Sequence, residues 1–260
     1  MTTVNFFKPA LMALMVSAAF AASAAPVTVL PGDPSWSTLA GDNSGGGSST
    51  ITATAPRSGN GSLEMFGDRT RFTTAAIGLL NNVLSLTFNW SLALDSIATL
   101  NPDYTPALRL IVKDGAQFSE LIWEGAYNGT YGNTTKGAWY GSGANDVFHR
   151  HITGIPGDTL DGGSQVNLSI SDWAGLANST GSQWYSDAAE VIGISVGVGS
   201  SAGSGYHAFA DNVSYTTTTG NVTYNFEARA AAADVPEPAS LALVGLALFG
   251  AAAARRRSRN

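Results

Sequence analysis

Cysteine is absent from all 260 residues, which excludes disulfide staples, thiol catalysis and thiolate metal centres. Charge is scarce as well. Asp, Glu, Lys and Arg make up 12% of the chain, against roughly 25% in an average soluble domain. Basic residues are the scarcer sign, 13 against 19 acidic, for a net charge of −6. A phosphate backbone is bound by a concentrated basic face, so no nucleic acid is expected as partner. Also missing are a sustained helical period and any repeating unit of the kind a propeller or solenoid needs. No Gly-x-Ser-x-Gly elbow and no phosphate-cradling glycine loop occurs. With no cofactor motif either, the expectation is a protein that is not an enzyme.

The first 24 residues read as a secretory signal. Lys8 is the only charge ahead of an apolar run from Ala10 to Ala22. Ala22-Ser23-Ala24 supplies the small-x-small pattern of a cleavage site. A run of about 13 residues is too short for a permanent span of roughly 20, so cleavage after Ala24 is expected.

The other end has three parts in order. Pro236, Glu237 and Pro238 come first, an uncharged stretch follows through Ala254, and Arg255, Arg256 and Arg257 open a basic tail. The prolines stop any helix arriving from upstream, while the residues after Pro238 are free to start one. Residues 239–254 would make a helix of roughly 24 Å, short for a hydrocarbon core of about 30 Å. Arginines snorkelling outward make up the difference, and their charge holds them on the cytoplasmic side. This order resembles the PEP-CTERM protein-sorting signal. The resemblance implies an exosortase as processing partner, transient residence in the inner membrane, and delivery to the cell surface or extracellular matrix. It also implies a Gram-negative bacterium that makes exopolysaccharide.

Setting the ends apart changes the charge. Lys8 and the four C-terminal arginines are five of the 13 basic residues, leaving eight, while all 19 acidic residues lie between Asp33 and Glu237. The segment 25–238 therefore carries a net charge near −11.

The body, residues 25–228, reads as all-β. Short runs alternate apolar and polar residues and stop at Gly, Asn, Asp or Pro. Val83–Trp90 places Leu84, Leu86, Phe88 and Trp90 on one face. Ala107–Val112 and Phe118–Trp123 flank a turn at Lys113-Asp114-Gly115. Val166–Ile170, Val191–Val198, Phe209–Thr217 and Val222–Glu227 continue the series, and Gly193 and Gly197 mark close approach by another layer. Only Asp172–Ala177 suits a turn of helix. Ten to twelve strands predict an antiparallel β-sandwich or jelly roll. Residues 42–49 form a Gly/Ser-rich loop, and residues 229–234 link the body to the sorting signal.

Trp123, Tyr127, Tyr131, Trp139 and Tyr140 fall close together among Asn128, Asn133, Gly129 and Gly132. Flat rings stack on sugar faces and amides bond hydroxyls, which makes this the candidate carbohydrate-binding cluster, with core packing as the other use of the tryptophans. His149 and His151 would share a strand face about 7 Å apart, near enough for one metal ion, but no third ligand follows them. Glu120 and Glu124 share a strand face about 13 Å apart, beyond the 5–5.5 Å of a retaining glycosidase pair. Gly61-Ser62-Leu63-Glu64 and Ala210-Asp211-Asn212-Val213 resemble the two ends of a carbohydrate-binding jelly roll. That resemblance implies a structural calcium at Glu64 and Asp211, oxygen ligands suited to that ion. The expected function is a structural or polysaccharide-associating surface protein. A secreted polysaccharide-acting enzyme and a protein-binding adhesin are the alternatives.

Overall fold

The computed structural model describes residues 25–38, 43–199 and 201–229. The expected signal peptide and the helix at 239–254 lie outside the described residues. Among the described residues no helix is long and apolar enough to cross a membrane.

Seventeen strands are described: β1 (Val27–Val29), β2 (Trp36–Ser37), β3 (Ser48–Thr52), β4 (Ser62–Phe66), β5 (Thr70–Thr74), β6 (Gly78–Leu79), β7 (Val83–Leu92), β8 (Ala107–Asp114) and β9 (Gln117–Trp123) in the first half. After a long loop come β10 (Trp139–Gly141), β11 (Phe148–Ile152), β12 (Leu160–Asp161), β13 (Ser164–Gln165), β14 (Asn167–Leu168), the α-helix α1 (Ile170–Gly175), β15 (Glu190–Val198), β16 (His207–Thr217) and β17 (Gly220–Phe226).

They form two large sheets and one small hairpin, β12–β13. In the first sheet β16 is central. One edge pairs with β7, which continues to β10. The other edge is shared: residues 207–210 pair with β4 and so with β3, and residues 213–217 pair with β17. The second sheet runs β14-β11-β9-β8-β15-β5-β2, with β6 beside β15. Every pairing is antiparallel except β1–β17, which is parallel.

One core cluster draws on both sheets. Phe88 on β7 meets Trp123 on β9 edge-to-face at 5.1 Å, and Trp36 on β2 meets Phe226 on β17 at 5.1 Å. These contacts close the two layers into the sandwich that the alternation predicts. Trp36, Trp90, Trp123 and Trp173 are all fully buried. Aromatic side chains of this size bury about 150–250 Å² each, a large apolar payload for a body without disulfides.

Three local expectations change. Leu84 is exposed and Val83 buried, because a register shift between Thr216 and Thr217 flips the alternation where β7 begins. Residues 166–170 do not make one strand: Ser169 accepts the Asp172 amide at 3.2 Å and caps α1, so Ile170 turns into helix. Gly197 does admit a close neighbour, but it is the adjacent strand. A Cβ there would meet the Thr70 carbonyl of β5.

Candidate functional site

The aromatic cluster does not line one groove. Trp123 is in the core, 1% exposed, its Nε1 donating to Asp146 at 2.8 Å. It cannot serve as a sugar platform, because its strand position faces the opposite sheet. Tyr140 stacks on Trp90 at 4.8 Å and belongs to the core margin. Trp139 stands on the first sheet's outer face, lining a pocket of about 280 Å³ with Leu94, Asp95, His207 and Phe209. Tyr127 and Tyr131 go elsewhere, onto the loop after β9.

The two calcium candidates are engaged with protein donors. Asp211 is fully buried where β16 changes register. Its Oδ1 accepts the amides of Phe226 (2.9 Å) and Asn212 (2.8 Å), and its Oδ2 accepts that of Ser58 (3.1 Å). Burial still pushes its pKa up to about 6. Glu64 takes the imidazole of His207 at 2.9 Å and the Thr54 hydroxyl at 3.1 Å. His207 reaches Asp95 with its other nitrogen at 2.7 Å. The two carboxylates share no partner, and among the described residues no group of three or more His, Asp or Glu is placed to hold a metal ion. A calcium ion does not fit this donor set: Asp211 staples β17 and the Ser58 turn to β16 instead.

The histidine pair is likewise divided. His149 is buried, 3.6 Å from Asp158, and burial lowers its pKa against the pull of that carboxylate. His151 points its Nδ1 at the Gly157 carbonyl, 3.2 Å away.

The structure assembles a charged cleft that the sequence does not advertise. It lies on the outer face of the second sheet, about 220 Å³ in volume, and is lined by Arg69, Arg71, Arg109, Glu120, Glu124 and His151 with Ile122 and Val198. Strand alternation explains each placement. Leu108 and Leu110 enter the core from β8, so Arg109 between them faces out. Phe72 does the same for Arg71 on β5, and Leu121 and Trp123 for Glu120 and Ile122 on β9. Between these strands β15 presents Gly193, Ser195 and Gly197, which pair with Ile111, Arg109 and Ala107. Side chains this small leave room for Arg71 to reach over two strands and bind both oxygens of Glu120 with its two terminal nitrogens, the second bond at 3.1 Å.

Arg109 is the unusual member. Only 3% of it is exposed, and its Nε and Nη1 have no hydrogen-bond partner. Its Nε lies 3.6 Å from Glu120, too far for a good hydrogen bond. Arg69 is held at φ +27° in the turn before β5, its amide donating to the Gly199 carbonyl at 3.2 Å. Glu124, at the far end of β9, is pushed up by burial and held back by Arg109.

Tyr104 and Tyr131 lie within electrostatic reach of Glu124, outside the cleft's own lining. Burial and then Glu124 raise Tyr104, to about 12, and the same two causes in the same order raise Tyr131. Tyr127 is exposed and meets His149 edge-on at 5.2 Å. The loop carrying Tyr127 and Tyr131 is tied down: the Gly125 amide donates to Thr105 (2.9 Å), the Gly132 amide to Asp103 (2.6 Å), and Asn128 to the Val147 carbonyl (3.0 Å). Three of the body's eight basic residues thus meet in one cleft of an otherwise acidic surface. Sequence reasoning missed Arg71 and Arg109. The available signal was an arginine inside the apolar run Ala107–Val112 with no acidic neighbour on its own strand face.

Fold and cleft together define a β-sandwich with an arginine-rich cleft on one outer face. Residues 234–257 match the PEP-CTERM protein-sorting motif, a segment outside the described residues. The chain therefore carries the address of an exported protein that an exosortase processes. No curated protein matches its sequence.

Proposed function

We propose that this chain is an exported component of the cell surface or extracellular matrix, which associates with exopolysaccharide through the outer face of its second sheet and catalyses no reaction. The N-terminal signal sends it out, the helix at 239–254 holds the precursor in the inner membrane, and an exosortase acts near Pro236-Glu237-Pro238. The observation that carries the polysaccharide reading is the cleft, where charged groups converge on the sheet and Tyr104 and Tyr131 lie in nearby loops, within electrostatic reach of Glu124. Rings and convergent polar groups are the components of a sugar site.

A polysaccharide-cleaving enzyme is the second reading, because Glu120 and Glu124 share this cleft and burial raises Glu124 in the manner of a general acid. Against it, Arg71 occupies both oxygens of Glu120, which leaves that carboxylate poorly placed to act as base or nucleophile. Affinity electrophoresis of the purified protein through gels containing the producing cells' exopolysaccharide tests the reading. Retardation without release of reducing ends supports it. Unretarded migration overturns it, and reducing ends lost in Glu120→Gln or Glu124→Gln would establish the enzyme instead.

A further inference from the structure

We propose that the cleft takes a carboxylate-bearing sugar, a uronate residue of an acidic polysaccharide, with Arg109 as the anchoring cation. This rests on the polysaccharide reading and narrows it. Three independent observations lead there.

The first is the state of Arg109. A buried guanidinium normally satisfies its donors, because an unpaired buried donor is costly. Here Nε and Nη1 are unpartnered and the side chain lines an open cavity. A second acceptor entering the cleft would complete it. Guanidinium is the side chain whose planar fork matches a carboxylate.

The second is the charge count. The cleft holds Arg69, Arg71 and Arg109 against Glu120 and Glu124, an excess of one positive charge within a body near −11. The surrounding acidic surface repels a polyanion, so contact is confined to the cleft.

The third is the mixed lining. Ile122, paired with Arg109 on the outward strand face, shares the wall with the arginines, and a sugar ring presents C–H faces that such a side chain covers. A bare inorganic anion would leave it unused. Arg69 adds a sign of function rather than of stability: a non-glycine residue at positive φ carries strain, and here it sets a cation at the cleft mouth.

Binding of the full-length chain in detergent to polygalacturonate, to dextran and to dextran sulfate tests this, with free galacturonate and galactose as competitors. The expected result is binding to polygalacturonate alone, displaced by galacturonate and not by galactose. Arg109→Gln should weaken it about tenfold or more, the loss of one charge-assisted hydrogen bond. Arg69→Glu, at an exposed turn and harmless to the core, should also weaken it and serves should Arg109→Gln fail to fold. Dextran binding without polygalacturonate binding overturns the uronate and leaves the polysaccharide reading standing. Equal binding to dextran sulfate, or wild-type affinity in both variants, also overturns the uronate. Binding to none of the three polymers overturns it too, and retardation by the cells' own exopolysaccharide then decides the broader reading separately.

Discussion

The Nε of Arg109 stops 3.6 Å from Glu120, whose carboxylate is already taken by both terminal nitrogens of Arg71. Two cations thus share one anion, and the more deeply buried cation has the poorer geometry. Glu120→Gln would leave Arg109 without its nearest counter-charge at 3% exposure. Removing one partner of a buried pair costs about 3–5 kcal/mol; with Arg71 partly exposed, the lower end is expected. Urea denaturation of wild type and variant measures it, and a cost under about 1 kcal/mol would mean that the pair is effectively solvated.

Arg69 offers a trade between stability and binding. At φ +27° a side chain is strained by roughly 1–2 kcal/mol relative to the right-handed region, a penalty glycine escapes. Arg69→Gly should hold or raise the melting temperature while weakening polyuronate binding. A variant that loses stability would show that the arginine side chain contributes to the fold.

Trp123 and Tyr127 lie four positions apart and should behave as opposites. Trp123→Ala empties a core position against Phe88 and Trp90 and should cost about 3–5 kcal/mol. Tyr127→Ala removes an exposed ring and should stay within about 0.5 kcal/mol while reducing exopolysaccharide binding. Paired denaturation and gel retardation separate the two roles.

Asp211 should make stability fall as pH rises. Its carboxyl is raised to about 6 in the folded protein, against about 3.9 unfolded. The folded state therefore holds the proton more tightly. Its contribution is complete below pH 4 and lost as pH rises through 6, a change of about 3 kcal/mol. His149, lowered by burial, acts in the other direction, losing stability as pH falls below its ordinary value of about 6.5. Comparing wild type with Asp211→Asn from pH 4 to 7 isolates the carboxyl. The wild type should lose ground to the variant across that range, and a constant difference would contradict the raised value.

The strands were readable where alternation was strict. Leu86, Phe88 and Trp90 on β7, and Leu108 and Leu110 on β8, reach the core as their spacing requires. Reading failed where a bulge or a cap intervened, at Leu84 and at Ile170, because both depend on a partner strand or a side-chain hydrogen bond rather than on local pattern. The sorting motif was fully readable, being contiguous and ordered. The cleft was not: Arg71, Arg109 and Glu120 belong to three strands that meet only through sheet order, and one sequence carries no register. The same limit applied to Trp123, whose loop-like neighbours suggested a surface that its strand face denies.

The most direct measurement follows the protein in producing cells. Matrix is stripped from cells that make exopolysaccharide and from matched cells that cannot, and the protein is quantified in each fraction. An exported, exosortase-sorted protein that binds polymer should leave with the matrix in the first strain and be released to the medium in the second. Identical distribution in the two strains would contradict polysaccharide association, and retention of unprocessed chain inside both would contradict the sorting address itself.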